Sequence, residues 1–326
     1  MQDFRGKLAV VTGAGTGIGR ELALQLARAG ARLALCDVFE DTLAHTQKDC
    51  EACALDGAKV SAHRCDVSSE AQVLAFRDAV LSEHATDHVE LLFNNAGVGG
   101  GGSFIKDSRE QWERTFNVCW FGVYFCSRAF LPLLIASSEA CIVNVSSING
   151  IFAIDPNGPH TAYSTAKFAV KGFSEALLSD LRFNAPHVSL LLVMPGQIGT
   201  SIATNTLRTH GIPEPKHLTA EQMPALKQWL TARGVPYQGL SDDEVRALAQ
   251  ARVDSFRETA PLSPAQAAEQ ILGAVQKGQW RLLVGEDAKL IEKVARENPD
   301  GLYELPFLLE LSGKLASMRE AARAKR

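Results

Sequence analysis

The sequence predicts an α/β protein with a doubly wound parallel sheet of about seven strands and helices on both faces. Short apolar runs rich in β-branched residues alternate with segments of helical apolar spacing along most of the chain. A glycine-rich turn separates the first such run from the first helical segment. Because no internal repeat or low-complexity linker interrupts the 326 residues, we expect residues 1–326 to form a single domain.

The predicted elements follow the chain in order. The first strand, residues 8–12 (LAVVT), is a β-branched run followed by glycines, as expected of a buried parallel strand. Further strands are predicted at residues 32–36, 60–65, 89–93, 140–145, 188–194 and 280–284. Helices are predicted at residues 18–29 and 40–55, from the Ser68-Ser69 cap to about residue 84, from Ser108 to Leu131-Pro132, at 162–183, and after Ser263-Pro264.

Two segments depart from this alternation. Residues 197–262 carry two helix-start signatures, Thr219-x-x-Gln222 and Ser241-x-x-Glu244, so we predict a helical insertion placed where a substrate lid would lie. Residues 286–326 form a predicted C-terminal helical extension. Its leucines have the spacing of an apolar helical stripe, which favours packing on its own domain or on a sister subunit over lying on a membrane surface.

Composition excludes several functional classes. The chain is 46% hydrophobic and 21% charged with a net charge of -4, which is typical of a soluble globular protein and gives no electrostatic reason to bind nucleic acid. We expect no signal peptide and no membrane span. Seven scattered cysteines indicate a reducing compartment, hence the cytoplasm, and we interpret the Cys50-x-x-Cys53 spacing as helix packing rather than a metal site.

The glycine-rich turn predicts a nucleotide-binding site. Thr12 to Gly19 (TGAGTGIG) lies between the first strand and the first helix, where glycines allow the backbone to approach a pyrophosphate at the helix N-terminus. Gly13, Gly17 and Gly19 have the spacing Gly-x-x-x-Gly-x-Gly, not the common Gly-x-Gly-x-x-Gly. Asp37 ends the second strand, where a carboxylate binds ribose hydroxyls and repels a 2′-phosphate. This predicts NAD rather than NADP, the alternative being that Asp37 caps the next helix.

Tyr163 and Lys167 form a candidate proton-transfer pair. Lying four residues apart in a predicted helix, they share one face. A phenol with a pKa near 10 needs about three units of stabilisation, roughly 4 kcal/mol, for acid/base work at neutral pH. An ammonium about 4 Å away at an effective dielectric of about 20 supplies that much. The alternative is a half-buried tyrosine beside an exposed lysine.

Together these motifs resemble the short-chain dehydrogenase/reductase family, which has a Rossmann fold. The resemblance covers residues 5 to 200. It rests on TGAGTGIG, Asp66-Val67 after the third strand, Asn94-Asn95-Ala96-Gly97 after the fourth, Asn117, Ser146-Ser147 after the fifth strand, Tyr163-x-x-x-Lys167, and Pro195-Gly196-x-Ile198-x-Thr200 after the sixth.

The resemblance implies roles for these residues. Tyr163 would be the general acid/base, Lys167 would lower its pKa and hold the nicotinamide ribose, and Ser147 would bind the substrate oxygen. Asn117 would hold a water that links Lys167 to solvent. The remaining implied cofactor-binding residues are Thr16 and Ile18 in the glycine turn, Asp66 and Val67 at the adenine, Asn94, Ala96 and Gly97 in the cleft wall, and Pro195, Gly196, Ile198 and Thr200 at the nicotinamide end.

Two departures from the family pattern matter. The family usually places its serine thirteen residues before the tyrosine, whereas Ser147 precedes Tyr163 by sixteen and Ser146 by seventeen. We interpret residues 155–160 (DPNGPH) as a loop with a three-residue insertion and favour Ser147, with Ser146 as the alternative. The usual valine-aspartate-glycine-glycine ending is absent, which puts the family's tetramer in doubt; a homo-oligomer, dimer or tetramer, is still expected.

The resulting prediction is an NAD-dependent alcohol dehydrogenase or carbonyl reductase that acts without a metal. Apolar residues of the insertion would favour a bulky secondary alcohol or ketone, although the same residues could instead form the insertion's own core; they are Leu207, Ile212, Leu226, Trp229, Leu230 and Tyr237. A fatty-acyl ketone or steroid is an alternative substrate. A non-catalytic NAD-binding sensor is an alternative function.

Overall fold

The computed structural model describes residues 1–100, 102–153, 159–232 and 234–323. Its centre is a seven-stranded sheet in the order β3-β2-β1-β4-β5-β6-β7, and every pair of neighbouring strands is parallel. The strands are β1 (Leu8–Thr12), β2 (Arg32–Asp37), β3 (Val60–Arg64), β4 (Leu91–Asn94), β5 (Ala140–Val145), β6 (Val188–Pro195) and β7 (Arg281–Val284). The predicted doubly wound sheet is confirmed.

Helices connect these strands and flank the sheet. They are α1 (Gly17–Arg28), α2 (Glu40–Cys53), α3 (Glu70–His84), α4 (Arg109–Phe116), α5 (Gly122–Ala136), α6 (Thr161–Asn184), α7 (Ile202–Thr209), α8 (Met223–Ala232), α9 (Asp242–Glu258), α10 (Pro264–Gln276), α11 (Glu286–Glu297) and α12 (Leu305–Arg323). The Ser69 hydroxyl caps α3 by accepting a hydrogen bond from Gln72 N, as the sequence indicates.

Two apolar cores cover the two faces of the sheet. Along β1, Ala9 and Val11 belong to one core while Leu8 and Val10 belong to the other, because successive side chains of a strand point to opposite faces. All five residues of β1 are buried. This two-sided burial explains why the strand reads as a continuous apolar run rather than an alternating one.

Helices α4 and α5 are joined without a break by a π-helical turn, Asn117–Phe121, in which Gly122 N donates to Asn117 O. The predicted helix end at Leu131-Pro132 is wrong, since α5 continues through Pro132 to Ala136. Within the described residues, 109–136 are long and apolar enough to cross a membrane by length and composition, in contrast to the sequence-based expectation. Phe130 and Leu134 of this helix are fully buried in the core on one face of the sheet.

The insertion has a core of its own. Leu226 and Leu230 of α8 pack against Val245 and Ala249 of α9. Both predicted capping boxes form, at Thr219 and Ser241. Five of the six residues expected to favour a bulky substrate belong to this core instead; they are Ile212, Leu226, Trp229, Leu230 and Tyr237. The alternative, that the insertion uses them for its own packing, is therefore the one the structure supports.

The C-terminal extension packs on the chain's own domain. Ile291 of α11 and Leu311 of α12 share an apolar cluster with Leu302 and with Phe152, which lies in the segment after β5. Ala153 N donates to the Tyr303 hydroxyl at 3.2 Å, so the extension is tied to that segment. The predicted loop insertion at 155–160 lies mostly outside the described residues, which resume at Pro159, and it stays a prediction.

Candidate active site

A cleft that is open to solvent lies at the carboxyl ends of the strands. It opens where the strand order reverses, between β1 and β4, which is where open α/β sheets bind ligands. The sequence-predicted residues that line it are Gly13, Thr16, Gly17, Ile18, Asp37, Asp66, Val67, Ala96, Gly97, Ser147, Tyr163, Lys167, Pro195, Gly196, Ile198 and Thr200. Gly19, Asn94 and Asn117 are not among the described residues that line it.

The glycine turn leaves no room for a side chain at Gly13 or Gly19. Gly13 has φ +64°, and a Cβ there would lie 2.7 Å from Ala96 Cα. A Cβ at Gly19 would overlap Gly13 O, so Gly19 serves the cleft by allowing α1 to pack directly under the turn. The exposed backbone at the N-terminus of α1 therefore fits a dinucleotide pyrophosphate.

Asn95 fixes this turn against the neighbouring strand, a role the sequence analysis did not assign. Its side-chain Nδ2 donates to Thr12 O at 3.0 Å and to Gly13 O at 3.2 Å, while its backbone N donates to Thr12 Oγ1 at 3.0 Å. The sequence signal for this role is the Asn94-Asn95 pair at the end of β4. Asn94 points elsewhere: its Nδ2 donates to Ser127 Oγ and Asn144 Oδ1, which joins β4 to β5 beneath the cleft.

Asp37 lies at the far end of the cleft with its carboxylate held by backbone amides. Gly15 N donates to Oδ2 at 2.9 Å and Phe39 N donates to Oδ1 at 3.0 Å. Burial raises the pKa of this carboxyl, and the hydrogen bonds from Phe39 and Gly15 act in the opposite direction. The side chain lines the cleft beside Asp66 and Val67, where the resemblance places the adenosine.

Tyr163 and Lys167 face the cleft from α6, as their spacing predicts. Lys167 is 3% exposed, its Nζ lies 5.5 Å from the centroid of the Tyr163 ring, and it donates to Val145 O at 2.9 Å. Burial lowers the pKa of this amine because it disfavours the charged form. The His160 ring, at the N-cap of α6, lies 4.7 Å from the Tyr163 ring, centroid to centroid.

The two candidate serines make different contacts. Ser146 Oγ donates to Lys167 O at 2.8 Å, so its only hydroxyl proton supports the backbone of α6. Both serines line the cleft. Ser147 Oγ accepts from Asn149 N at 3.1 Å at the start of the short 3₁₀ turn Ile148–Gly150, and it donates to Asn149 Oδ1 over 3.4 Å, a longer bond than that of Ser146. This difference favours Ser147 for contact with a substrate oxygen.

Cys119, rather than Asn117, is the residue of the π-helical turn that faces the lysine. A Cβ built on Gly97 would have Lys167 Nζ at 3.6 Å and Cys119 Sγ at 3.7 Å as its nearest neighbours. Cys119 is fully buried and its thiol donates to Val98 O at 3.2 Å. Burial raises the pKa of this thiol, and Lys167 acts against that rise. Asn117 is partly buried and is not among the described residues that line the cleft, and the role implied for it by the resemblance stays a prediction.

Asp287 supports the nicotinamide-end turn from the C-terminal extension, which sequence reasoning missed. This 7%-exposed carboxylate accepts a hydrogen bond from Gln197 N at 2.7 Å. A Cβ at Gly196 would overlap the same carboxylate. Gln197 Nε2 in turn donates to Phe256 O at 2.9 Å, so the turn after β6 is joined both to α11 and to α9.

Fold and site together define an oxidoreductase with a nicotinamide dinucleotide cleft and a Tyr-x-x-x-Lys centre. The family model described as short chain dehydrogenase matches residues 7–211, and the chain belongs to the short-chain dehydrogenase/reductase family.

Several known proteins are similar to it. SadH of Mycobacterium tuberculosis is 37% identical over 296 residues, which cover 91% of this chain and 92% of SadH. A human dehydrogenase/reductase, SDR family member 11, is 29% identical and covers 73% of this chain and 90% of its own. A family member from Burkholderia phymatum, solved in complex with NAD, is 30% identical with a TM-score of 0.71 and covers 92% of this chain and 96% of its own. A metagenomic family member solved with NADP is 24% identical with a TM-score of 0.55, covering 86% and 97%.

Proposed function

We propose that this oxidoreductase is an NAD-dependent alcohol dehydrogenase or carbonyl reductase that acts on a secondary alcohol or ketone. The observation that carries the proposal is that Ser147, Tyr163, Lys167 and Asp37 line a single cleft, in which Asp37 ends β2 and Ser147 follows β5, three strands further along the sheet. A proton donor and a ribose-selecting carboxylate are thus separated along one dinucleotide-sized site.

The chain's own residues perform the proton transfer. Nicotinamide supplies or accepts the hydride when the dinucleotide is bound. The Ser147 hydroxyl binds the substrate oxygen and orients it toward the phenol of Tyr163, which gives or takes the proton at that oxygen. The Lys167 ammonium lowers the cost of the phenolate. Burial lowers the pKa of Lys167, but it also lowers the dielectric constant around the ammonium. The charge of Lys167 therefore stabilises the Tyr163 phenolate more strongly than it would in water.

The preference for NAD rests on charge. The Asp37 carboxylate would accept hydrogen bonds from the two ribose hydroxyls of NAD and repel a 2′-phosphate. The residues after it are Val38 and Phe39, which also line the cleft and offer no cation to a phosphate. The Arg208 guanidinium lies over the Phe39 ring, but it is paired with Asp41. The NAD-bound structure from Burkholderia phymatum, at 30% identity, points in the same direction.

The substrate half of the cleft favours an apolar ligand. Its walls include Val98 and Val118 on one side and Ile202 and Phe256 from the insertion on the other. A bulky secondary alcohol or ketone fits these walls, and a fatty-acyl ketone or a steroid is the second substrate candidate. A sensor that binds NAD without turnover would have little use for a buried lysine beside a cleft-facing tyrosine.

The test of catalysis is turnover. We expect the protein with NAD and a panel of secondary alcohols at alkaline pH to produce NADH, measured by absorbance. Tyr163→Phe should lower kcat by about 10²- to 10⁴-fold, because the ring is kept and only the proton donor is removed. Its NAD affinity should stay unchanged. Turnover that survives this substitution would overturn the mechanism, and NAD binding without any turnover would support the sensor.

The cofactor preference has a separate test. We expect NAD to raise the Tm of the wild-type protein more than NADP does. In Asp37→Ser the difference should shrink or reverse, since the repelling charge is gone. Tighter binding of NADP to the wild-type protein would show that Asp37 does not select against a 2′-phosphate.

We also propose that the enzyme is a cytoplasmic homo-oligomer. Seven free cysteines, six of them buried, suit a reducing compartment. Exposed aromatic side chains at Tyr124 and Phe168, on helices α5 and α6, are candidates for a subunit contact. Sedimentation at several protein concentrations distinguishes a monomer from a dimer or a tetramer.

A further inference from the structure

Helix α7 of the insertion forms a roof over the cleft. Ile202, Asn205 and Thr209 line the cleft, and their spacing of three and four residues places them on one face of the helix. The neighbouring residue Arg208 is not among the described residues that line the cleft. Its side chain contacts a neighbouring element of the fold instead.

Arg208 fastens this roof to the adenosine end. Its Nη2 donates to Asp41 Oδ1, at the start of α2, over 2.7 Å, and its Cζ lies 4.0 Å above the centre of the Phe39 ring. The guanidinium is therefore held by charge on one side and by an aromatic face on the other. Phe39 itself lines the cleft next to Asp37, so the contact lies at the edge of the adenosine site.

Further contacts complete the attachment of α7. Asn205 Nδ2 donates to Thr16 Oγ1 at 2.7 Å, in the pyrophosphate turn. Across the cleft, Gly99 N donates to Thr206 Oγ1 at 2.8 Å and Arg114 Nη1 donates to Thr209 O at 3.1 Å. The helix thus bridges the cleft from its cofactor-binding side to α4.

We propose that Arg208 is a cofactor-retaining residue: with Asp41 and Phe39 it holds α7 across the adenosine end, and exchange of the dinucleotide requires this contact to open. The inference rests on the dinucleotide site of the proposed function. Arg208 touches neither substrate nor reacting atoms, so it acts by positioning the roof.

The contact is suited to reversible opening. Arg208 is 41% and Asp41 58% exposed, so salt screens their attraction and the pair is weak compared with a buried one. Stacking of the Arg208 guanidinium on the Phe39 ring further stabilises the contact. Loss of both interactions should raise the dissociation rate of the dinucleotide about fivefold to tenfold.

The experiment measures NADH dissociation from the full-length protein. Bound NADH is displaced by excess NAD in a stopped-flow instrument and its fluorescence is followed. We expect Arg208→Ala to raise the dissociation rate about fivefold to tenfold and to raise the association rate as well, because the same contact bars entry, while single-turnover hydride transfer stays unchanged. Arg208→Lys should give an intermediate rate, since it keeps the charge but loses the planar stacking group.

Two controls separate this role from a general effect on the insertion. Arg252→Ala removes an exposed arginine of α9, outside the cleft lining, and should leave the rate unchanged. Added NaCl should speed dissociation from the wild-type protein and have a smaller effect on Arg208→Ala. Equal rates in Arg208→Ala, Arg252→Ala and wild type would overturn the proposal. Failure of the wild-type protein to bind NADH at all would instead overturn the proposed function.

Discussion

Glycines in the cofactor-binding half and glycines in the insertion are used for different reasons. At Gly13 and Gly19 an added Cβ would meet backbone atoms of the same site. At Gly211 and Gly234 of the insertion nothing lies within 4 Å, and both have positive φ. Close contact constrains the first pair, with a positive φ in addition at Gly13, whereas turn conformation alone constrains the second pair. We therefore expect Gly13 and Gly19 to tolerate far less change than Gly211 and Gly234.

The largest effect is expected for Gly19→Ala. Its Cβ would overlap Gly13 O, and a backbone carbonyl in a packed turn has nowhere to move. We expect a loss of about 3 kcal/mol in the free energy of unfolding, with loss of cofactor binding. Urea denaturation and a cofactor titration measure these effects. Gly172→Ala, in α6 with nothing within 4 Å of its Cβ, should be neutral or slightly stabilising.

A smaller loss is expected when the C-terminal extension loses its hold on the cleft. Asp287→Ala leaves the Gln197 amide without this carboxylate acceptor and should cost about 2 kcal/mol of stability, with weaker cofactor binding. Asp287→Asn keeps an acceptor oxygen and should lose less. Glu286→Ala, at an exposed neighbour, should match wild type in thermal unfolding. If Asp287→Ala behaves like Glu286→Ala, the extension does not support the turn.

In the insertion, Gly211→Ala tests a glycine that is needed only for its turn conformation. The new methyl group meets no atom, but φ of +73° is unfavourable for alanine, so we expect a loss of about 1 kcal/mol in chemical denaturation. Cofactor affinity should be unchanged. A loss as large as that of Gly19→Ala would show that the insertion is as tightly constrained as the cofactor turn.

The smallest effect separates the two residues of the π-helical turn. Cys119→Ala removes a weak donor beside Lys167 and should lower kcat about threefold. Cys119→Ser keeps a donor for Val98 O and should stay near wild type. If Cys119 is the residue that matters, Asn117→Ala should leave kcat unchanged, whereas a larger effect of Asn117→Ala than of Cys119→Ala would support the role that the resemblance implies for Asn117.

Sequence and structure agree where local signals decide. Short apolar runs that alternate with helical segments predicted the seven strands of the sheet. The Tyr163-Lys167 spacing predicted a shared helix face, which the structure confirms. Contacts between distant segments were not predictable in this way. Nothing near Asp287 indicates that it contacts Gly196, some ninety residues earlier. The apolar residues of α8 could equally have faced a ligand or one another, because periodicity does not identify the partner of an apolar face.

The five-residue π-helical turn Asn117–Phe121 sets how the faces of α4 and α5 are rotated relative to each other. A π-helical turn contains one residue more than an α-helical turn, and each α-helical residue advances by about 100°. Faces before and after the turn are therefore out of phase by about that angle. Shortening the turn by one residue would rotate the buried Phe130 and Leu134 away from the sheet while leaving the cleft-lining Arg114 in place. The bulge thus acts as a phase adjustment between the wall of the active site and the hydrophobic core.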